Sequence, residues 1–576
     1  MILQALARRY ESTINTGSAI PFGWEIRDAV YALDLDENGV LHNLIPLERV
    51  DGKRKVRPTY LLPEEPAGRT VAIKPAFLCD NSKYVFGLSA KSDGREKRCF
   101  DKAKEFHREI LSNANSSTAH GIIRFFENWD LENAAEHPII TSILLDKKTA
   151  DAFYKGRFVF QVNGRFAQDD PELKLAWEKT RVLADGEQIC CLISGEQDAL
   201  IKLHGKISLP GVSMGSVPLV SINAESFASY GKSKDDPAAQ IGEKAAFSYT
   251  TALNSLLKDE NHHKWLGKDT LVYWAEGGGE QEAFTFSWLG DPKEDDSQKL
   301  DAIIEKYRQG LKLNVEKCEM ERPFYLLCLS PNAGRISVRF FYQSTFEDVL
   351  KNNLNHYRNM EIAMSSNEKF HYLPPWILLS ETTVKKQTGD ASPILGGQLL
   401  HSIVSGNPYP MTLYNAILMR IRAGEKVNRT KAAIIKAVLI KNFNESEVTT
   451  VSLNQQSEKK PYVLGRLFSL LERMQQDASG GQLNSSIRDR YFSSACANPS
   501  STFPILLKLS MHHIAKVKNP VYFEKLKGEL IAKLDDQLPF PAAFNLEEQG
   551  QFIIGYYHQT QYFFTSKKDK EEIKNV

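Results

Sequence analysis

Apolar and polar residues alternate with a period of two at three places in the first 345 positions, each time around a turn. "YALDLDENGVLHNLIPL" alternates on both sides of Glu37-Asn38-Gly39, "RFVFQVNGRF" around Asn163-Gly164, and "FYLLCLSPNAGRISVRFFYQ" around Pro331 to Gly334. Strand side chains point to opposite faces in turn, so each pattern predicts a hairpin. Between them "DGREKRCFDKAKEFHREILSN" and "GEKAAFSYTTALNSLLK" carry the helical period. After "TFEDVLKNNLNHYRNMEIA" that period takes over. In "YVLGRLFSLLERMQQDA", Leu464, Leu467, Phe468, Leu471 and Met474 form one helical stripe that stops at Ser479-Gly480-Gly481. "TFPILLKLSMHHIAKV", "VYFEKLKGELIAKL" and "LEEQGQFIIGYYHQTQYFF" follow at bundle-like spacing. The predicted fold class is α+β: an N-terminal mixed α/β region with antiparallel hairpins, then a C-terminal all-α helical bundle. Its expected parts are 1–345, a mostly helical basic connecting region 346–450, and the bundle 451–576. "NFNESEVTTVSLNQQSEKKP" reads as a linker and "SKKDKEEIKNV" as a frayed tail.

At 576 residues the chain exceeds one core and suggests roughly three or four domains. An apolar fraction of 42% and a charged fraction of 25% fit a soluble globular protein rather than a disordered or fibrous one. A net charge of +1 means that any nucleic-acid role rests on local clustering of Lys and Arg. The seven cysteines are odd in number and form no C-x-x-C, so neither a disulfide framework nor a zinc knuckle is expected. "MILQALARRYES" lacks the order and apolar length of a signal peptide, and no apolar run reaches a membrane span; the expected location is cytoplasmic.

Local catalytic signatures are absent: there is no G-x-x-x-x-G-K-[ST], G-x-G-x-x-G, H-E-x-x-H or G-x-S-x-G. "DLDENG" has the first half of a calcium loop but Ile45 at its twelfth position, which favours a hairpin turn. His262-His263 and His512-His513 are adjacent pairs whose rings diverge, and both read as structural or surface histidines. No metal, cofactor or catalytic residue is expected, although a dispersed active site stays open to a single sequence.

Basic clustering is the positive signal. Residues 91–108 mix cations with acids and suit a solvated helix face as well as an interface. "RIRAGEKVNRTKAAIIKAVLIK" carries Arg420, Arg422, Lys426, Arg429, Lys431, Lys436 and Lys441 against Glu425 alone, which predicts a polyanion path. In "LVSINAESFASYGKS", Asn223, Ser226, Ser229 and Lys232 offer hydrogen bonds while Phe227 and Tyr230 offer stacking faces for unpaired nucleotides; core anchoring fits the same composition equally. Asn81, Ser82 and Lys83 in "FLCDNSKYVFG" form a polar tip suited to a groove or simply to a turn.

Together "LVSINAESFASYGKS" with "AAFSYTTALNSLL", "GNPYPMTLYNAILMRIRAGEKVNRTKAAIIKAVL", "YVLGRLFSLLERMQQDA", "LNSSIRDRYFSSACANPSSTFPILLKLSMHHIAKV" and "LEEQGQFIIGYYHQTQ" resemble the large subunit of the type I-C CRISPR Cascade complex, in order over essentially the whole chain. The resemblance implies a non-catalytic subunit of an RNA-guided surveillance complex. Such a subunit recognises the protospacer-adjacent motif in double-stranded DNA, promotes R-loop formation, holds the displaced strand and helps recruit a helicase-nuclease. Implied partners are the guide-RNA-containing Cascade backbone, its RNA-processing subunits, a small helical subunit, target DNA and that nuclease. By the same resemblance Asn81, Ser82 and Lys83 would probe the motif. Phe227, Tyr230 and Lys232 would wedge the first opened pair, and Arg420, Arg422, Arg429, Lys431 and Lys436 would line the displaced strand. Val451 stands where the family has an internal starting Met for its small subunit. A nucleic-acid-processing enzyme with a dispersed site and a purely structural scaffold are the alternatives.

Overall fold

Asn-Gly turns close where the alternation placed them. Tyr31–Leu35 pairs antiparallel with Leu41–Pro46, and Gly39 between them adopts φ 77°. A Cβ at Gly39 would lie 2.2 Å from the Phe125 backbone nitrogen, so both conformation and sterics require glycine. Arg157–Val162 folds back onto Arg165–Phe166 through Asn163 and Gly164, both left-handed. Pro323–Asn332 and Arg335–Thr345 form the third and longest hairpin.

This computed structural model describes residues 1–51, 54–66, 69, 72–92, 94–182, 187–213, 215–222, 224–233, 236–313, 315–364, 368–384, 391–480, 485–534 and 537–564. The chain divides into two compact units, Leu3–Gly205 with Val220–Ala252, and Lys206–Leu219 with Leu253–Val576. In the first, a five-stranded sheet runs in the order Leu41–Pro46, Tyr31–Leu35, Arg157–Val162, Cys79–Asn81, with Arg165–Phe166 added to Arg157–Val162. Its one parallel pair is Tyr31–Leu35 with Arg157–Val162. The Glu96–Leu111 and Ser117–Asn128 helices cover the sheet, packing Phe100, Ile110, Ile122, Phe125 and Phe126 into one apolar cluster with Phe158 and Phe160.

The second unit holds a four-stranded antiparallel sheet of His263–Leu266, Asp269–Ala275, Pro323–Asn332 and Arg335–Thr345. Helices follow. Lys460–Ala478, Ile487–Ala497, Pro499–Ile514, Pro520–Ala532 and Leu546–Phe564 form the expected bundle. The predicted stripe from Leu464 to Met474 is fully buried. At Gly465 and Gly555 two helices meet backbone to backbone: a Cβ would lie 1.9 Å from the Phe552 carbonyl oxygen at one and 2.1 Å from that of Tyr462 at the other.

One apolar core extends from Leu266 through Leu439 to Tyr557, so the expected boundaries at 345/346 and 450/451 both fall inside it. The linker reading of 442–461 is corrected. Val448 and Leu453 are buried in that core, and the polar side chains turn inward. Ser457 Oγ donates to Glu447 at 2.6 Å, Gln551 to Glu445 at 2.8 Å, and the Ala363 amide to the Val451 carbonyl at 2.7 Å. Polarity marks a linker only when nothing internal answers it. The tail 566–576 lies outside the described residues. Among the described residues, no helix is long and apolar enough to cross a membrane.

Candidate nucleic-acid interface

The Asn81 tip is a strand end converted into a helix start. Cys79–Asn81 ends beside Arg157, and Asn81 caps the one-turn Ser82–Val85 helix by accepting from the Lys83 amide at 3.1 Å. The residue before this strand is unusual: Leu78 is buried with φ 57°, a conformation costly for a branched side chain. Its amide donates to His107 Nε2 at 3.2 Å, while His107 Nδ1 faces the Ala103 carbonyl at 2.8 Å. Complete burial lowers the His107 pKa to about 4, keeping the ring neutral and able to accept. Asp80 completes the brace. It accepts from the Ala76 and Asn81 amides, each at 2.7 Å, and from Arg69 through both carboxylate oxygens; that guanidinium stacks 4.4 Å from the Tyr84 ring centroid.

A rigid tip results, but not the expected three-residue reader. Ser82 is buried at 1% exposure and does not reach the surface; Asn81 and Lys83 are partly exposed. The helix-capping role of residue 81 draws residue 82 inward, a consequence invisible to composition.

The Tyr230 loop is the opposite case. Ser229 and Lys232 form an isolated antiparallel bridge, and Tyr230 and Gly231 between them have φ 53° and 72°. Two consecutive left-handed residues make a type I′ turn, the tight turn of hairpins. Tyrosine in that conformation costs about 1 kcal/mol, and the ring receives no packing in return, since Tyr230 is 100% exposed. The core-anchor reading is thereby excluded for Tyr230. Phe227, ending a short 3-10 turn, is 44% exposed. Lys232 Nζ donates to the Pro237 carbonyl at 2.9 Å, and Asp236 accepts from Ser233 Oγ at 2.9 Å, which closes the base of the loop. Regular strand flanks are absent among the described residues, and Asn223 lies outside them.

The basic stretch 420–441 is corrected most heavily. Arg429–Phe443 is a central helix, buried on every side from Arg429 to Leu439. Arg429 donates to the carbonyls of Phe370 and His371. Lys431 is 1% exposed and pairs with Glu381 and, at 3.1 Å, with Glu425. Lys436 bonds the Glu361 carbonyl, and burial pushes its pKa down to about 8. Arg420 pairs with Glu425 at 2.9 Å, and Arg422 with Gln549. Most of the acids and carbonyls that neutralise these cations come from distant sequence, so a local charge count missed them. In the mixed 91–108 stretch, exposed Lys102 pairs with Glu105 at 2.6 Å.

An exposed basic face exists elsewhere. Lys508, Lys516 and Lys518 are exposed, and no acidic residue occurs between positions 499 and 523. Met511 and Val521, exposed by 62% and 76%, interleave with them. The missed signal was an acid-free interval that spans the Pro499–Ile514 helix, which carries Lys508, and the turn after it, which carries Lys516 and Lys518.

A family model described as CRISPR-associated protein (Cas_Csd1) matches residues 6–564. No curated protein matches the chain.

Proposed function

The chain belongs to the CRISPR-associated Csd1 family, the type I-C large subunit, and on that premise we propose that it reads the base pairs flanking a target and opens the duplex there. The full exposure of Tyr230 at a strained type I′ turn carries this reading. An aromatic ring held out by a tight turn at a conformational cost is an unpacked stacking surface, and unpaired bases supply the missing partner. Phe227 and Lys232 flank it with a second ring and a cation. Asn81 and Lys83, braced by Asp80, Arg69 and the His107-stapled Leu78, form the groove-probing tip. Short polar side chains on a rigid turn reach base edges in the minor groove. Lys508, Lys516 and Lys518 take over the displaced-strand role first assigned to 420–436, a sequence-neutral contact with phosphates.

The subunit acts without catalysis of its own. Its partners are the guide-RNA-containing backbone, the RNA-processing subunits, a small helical subunit, target DNA and a recruited helicase-nuclease. The test is binding of a guide-loaded complex, with and without this subunit, to duplexes differing only in the flanking base pairs. Preference for one flank that needs the subunit and weakens in Asn81→Ala and Lys83→Ala supports motif reading. Equal binding to all flanks overturns it and favours a scaffold.

A further inference from the structure

We propose that Asp259, His262 and Glu280 form a divalent-metal site in the second unit, outside the nucleic-acid surfaces described above. One ligand atom from each lies within 4.8 Å of the others. His262 is 2% exposed, and its Nδ1 stands 3.0 Å from the Tyr273 carbonyl oxygen. A carbonyl only accepts, so Nδ1 carries a proton and Nε2 is the ring nitrogen turned to the carboxylates. Nε2 stands 2.7 Å from Glu280 Oε2 and 4.0 Å from Asp259 Oδ2. Two carboxylates therefore converge on one buried imidazole nitrogen, and positive charge among them, a proton on Nε2 or a cation in its place, holds the three groups together. A proton on Nε2 serves the Glu280 contact alone, whereas a divalent cation serves all three groups.

The surroundings fit such an ion. The Nδ1 contact to a backbone carbonyl is the outer-shell bond that orients a metal-bound histidine. Asp259 is held from behind, its Oδ1 accepting from the Asn261 amide at 2.9 Å and its carbonyl lying 2.8 Å from His263 Nδ1. Glu280 is the first residue of the Glu280–Leu289 helix. Both carboxylates are about half exposed, at 48% and 62%, which leaves room for water to complete the coordination shell. Ligand bonds of about 2.0–2.2 Å need neighbouring donors roughly 3–3.5 Å apart, so the His262–Glu280 gap must widen and the His262–Asp259 gap narrow by about 1 Å or less, while the two carboxylate oxygens, within 4.8 Å of each other, must close by no more than about 1.8 Å. Rotation of two exposed carboxylates supplies that. One imidazole with two carboxylates suits Zn²⁺ or Mn²⁺ better than the all-oxygen preference of Ca²⁺. Adjacent histidines indeed diverge, but His262 finds its partners three residues upstream and eighteen downstream. The ion would tie the end of the Glu243–Lys258 helix, the edge strand and the Glu280–Leu289 helix together.

Calorimetric titration of chelator-stripped, full-length protein with ZnCl₂ and MnCl₂ is expected to show one equivalent bound. The double variant Asp259→Asn, Glu280→Gln should weaken binding at least about tenfold. The side-chain amide that replaces the Glu280 carboxylate can donate to Nε2, and an unchanged melting profile verifies the fold; His512→Gln, an exposed histidine away from the site, should bind normally. Co²⁺ spectra of the wild type provide a second readout, with weak bands of nitrogen and oxygen ligands and no thiolate charge transfer. No stoichiometric uptake, uptake unchanged in the double variant, or a thiolate band would overturn the proposal.

Discussion

The Tyr230 turn and the Arg429–Phe443 helix contrast what a side chain advertises in sequence with what it does in the fold. The helix carries the strongest cationic signal in the chain, yet its Arg429, Lys431 and Lys436 are interior groups answered by Glu381, Glu425 and backbone carbonyls. The turn carries one tyrosine in a neutral-looking loop, and that ring is wholly in solvent. A long cationic side chain is mostly hydrocarbon and threads a core readily when its head finds acceptors. A left-handed aromatic tip has no such structural return. Unanswered cost points to function better than unanswered charge.

The contrast is sharpest in stability. Lys431→Met strands Glu381 and Glu425 without their common partner. Breaking one side of a buried ion pair costs about 3–5 kcal/mol, so the denaturation midpoint of the purified chain should fall steeply. Tyr230→Ala should move it by less than about 0.5 kcal/mol in either direction. Comparable losses from both substitutions would erase the distinction.

pH reads the buried cations directly. Burial lowers the folded pKa of both Lys436 and Lys441 to about 8, below the ordinary lysine value. Between about pH 8 and 10 the folded chain therefore binds fewer protons than the unfolded one, and stability should rise with pH. The pair contributes about 1–3 kcal/mol across that window once the solvent reaching Lys441 is allowed for. Above about pH 10 the trend should reverse, because unfolded tyrosines ionise while buried Tyr409 and Tyr414, their pKa values raised by burial, keep their protons. Melting curves between about pH 7.5 and 10.5 follow both limbs, and Lys436→Met should flatten the first.

The smallest effect is expected at the exposed cations. Replacing Lys508, Lys516 and Lys518 by Ala in the assembled complex should lower the salt slope of target binding by up to about 0.7 per lost phosphate contact to a single strand. An unchanged slope would remove this face from the strand path.

Much of the fold was legible. Two of the period-two runs ended in Asn-Gly turns that suit a hairpin, and the Leu464 to Met474 stripe had one burial solution. The buried linker was not, because Asn454, Ser457 and Glu445 look solvent-seeking until their partners arrive from Gln551, Lys459 and Glu447. The candidate site was half legible: composition singled out Phe227, Tyr230, Asn81 and Lys83, but the capping geometry that buries Ser82 depends on tertiary contacts. His262 was set aside for its neighbour, whereas its acceptors lie on other elements.

The most direct measurement is the rate at which a guide-loaded complex opens a target duplex, comparing wild type with Tyr230→Ala on fully paired DNA and on DNA already unpaired beside the flanking motif. Loss of one stacked base is worth about 1–3 kcal/mol, so opening of the paired duplex should slow roughly fivefold or more while the pre-opened duplex restores the wild-type rate. Equal rates on paired DNA, or a defect that persists on the pre-opened duplex, would contradict strand separation by this turn.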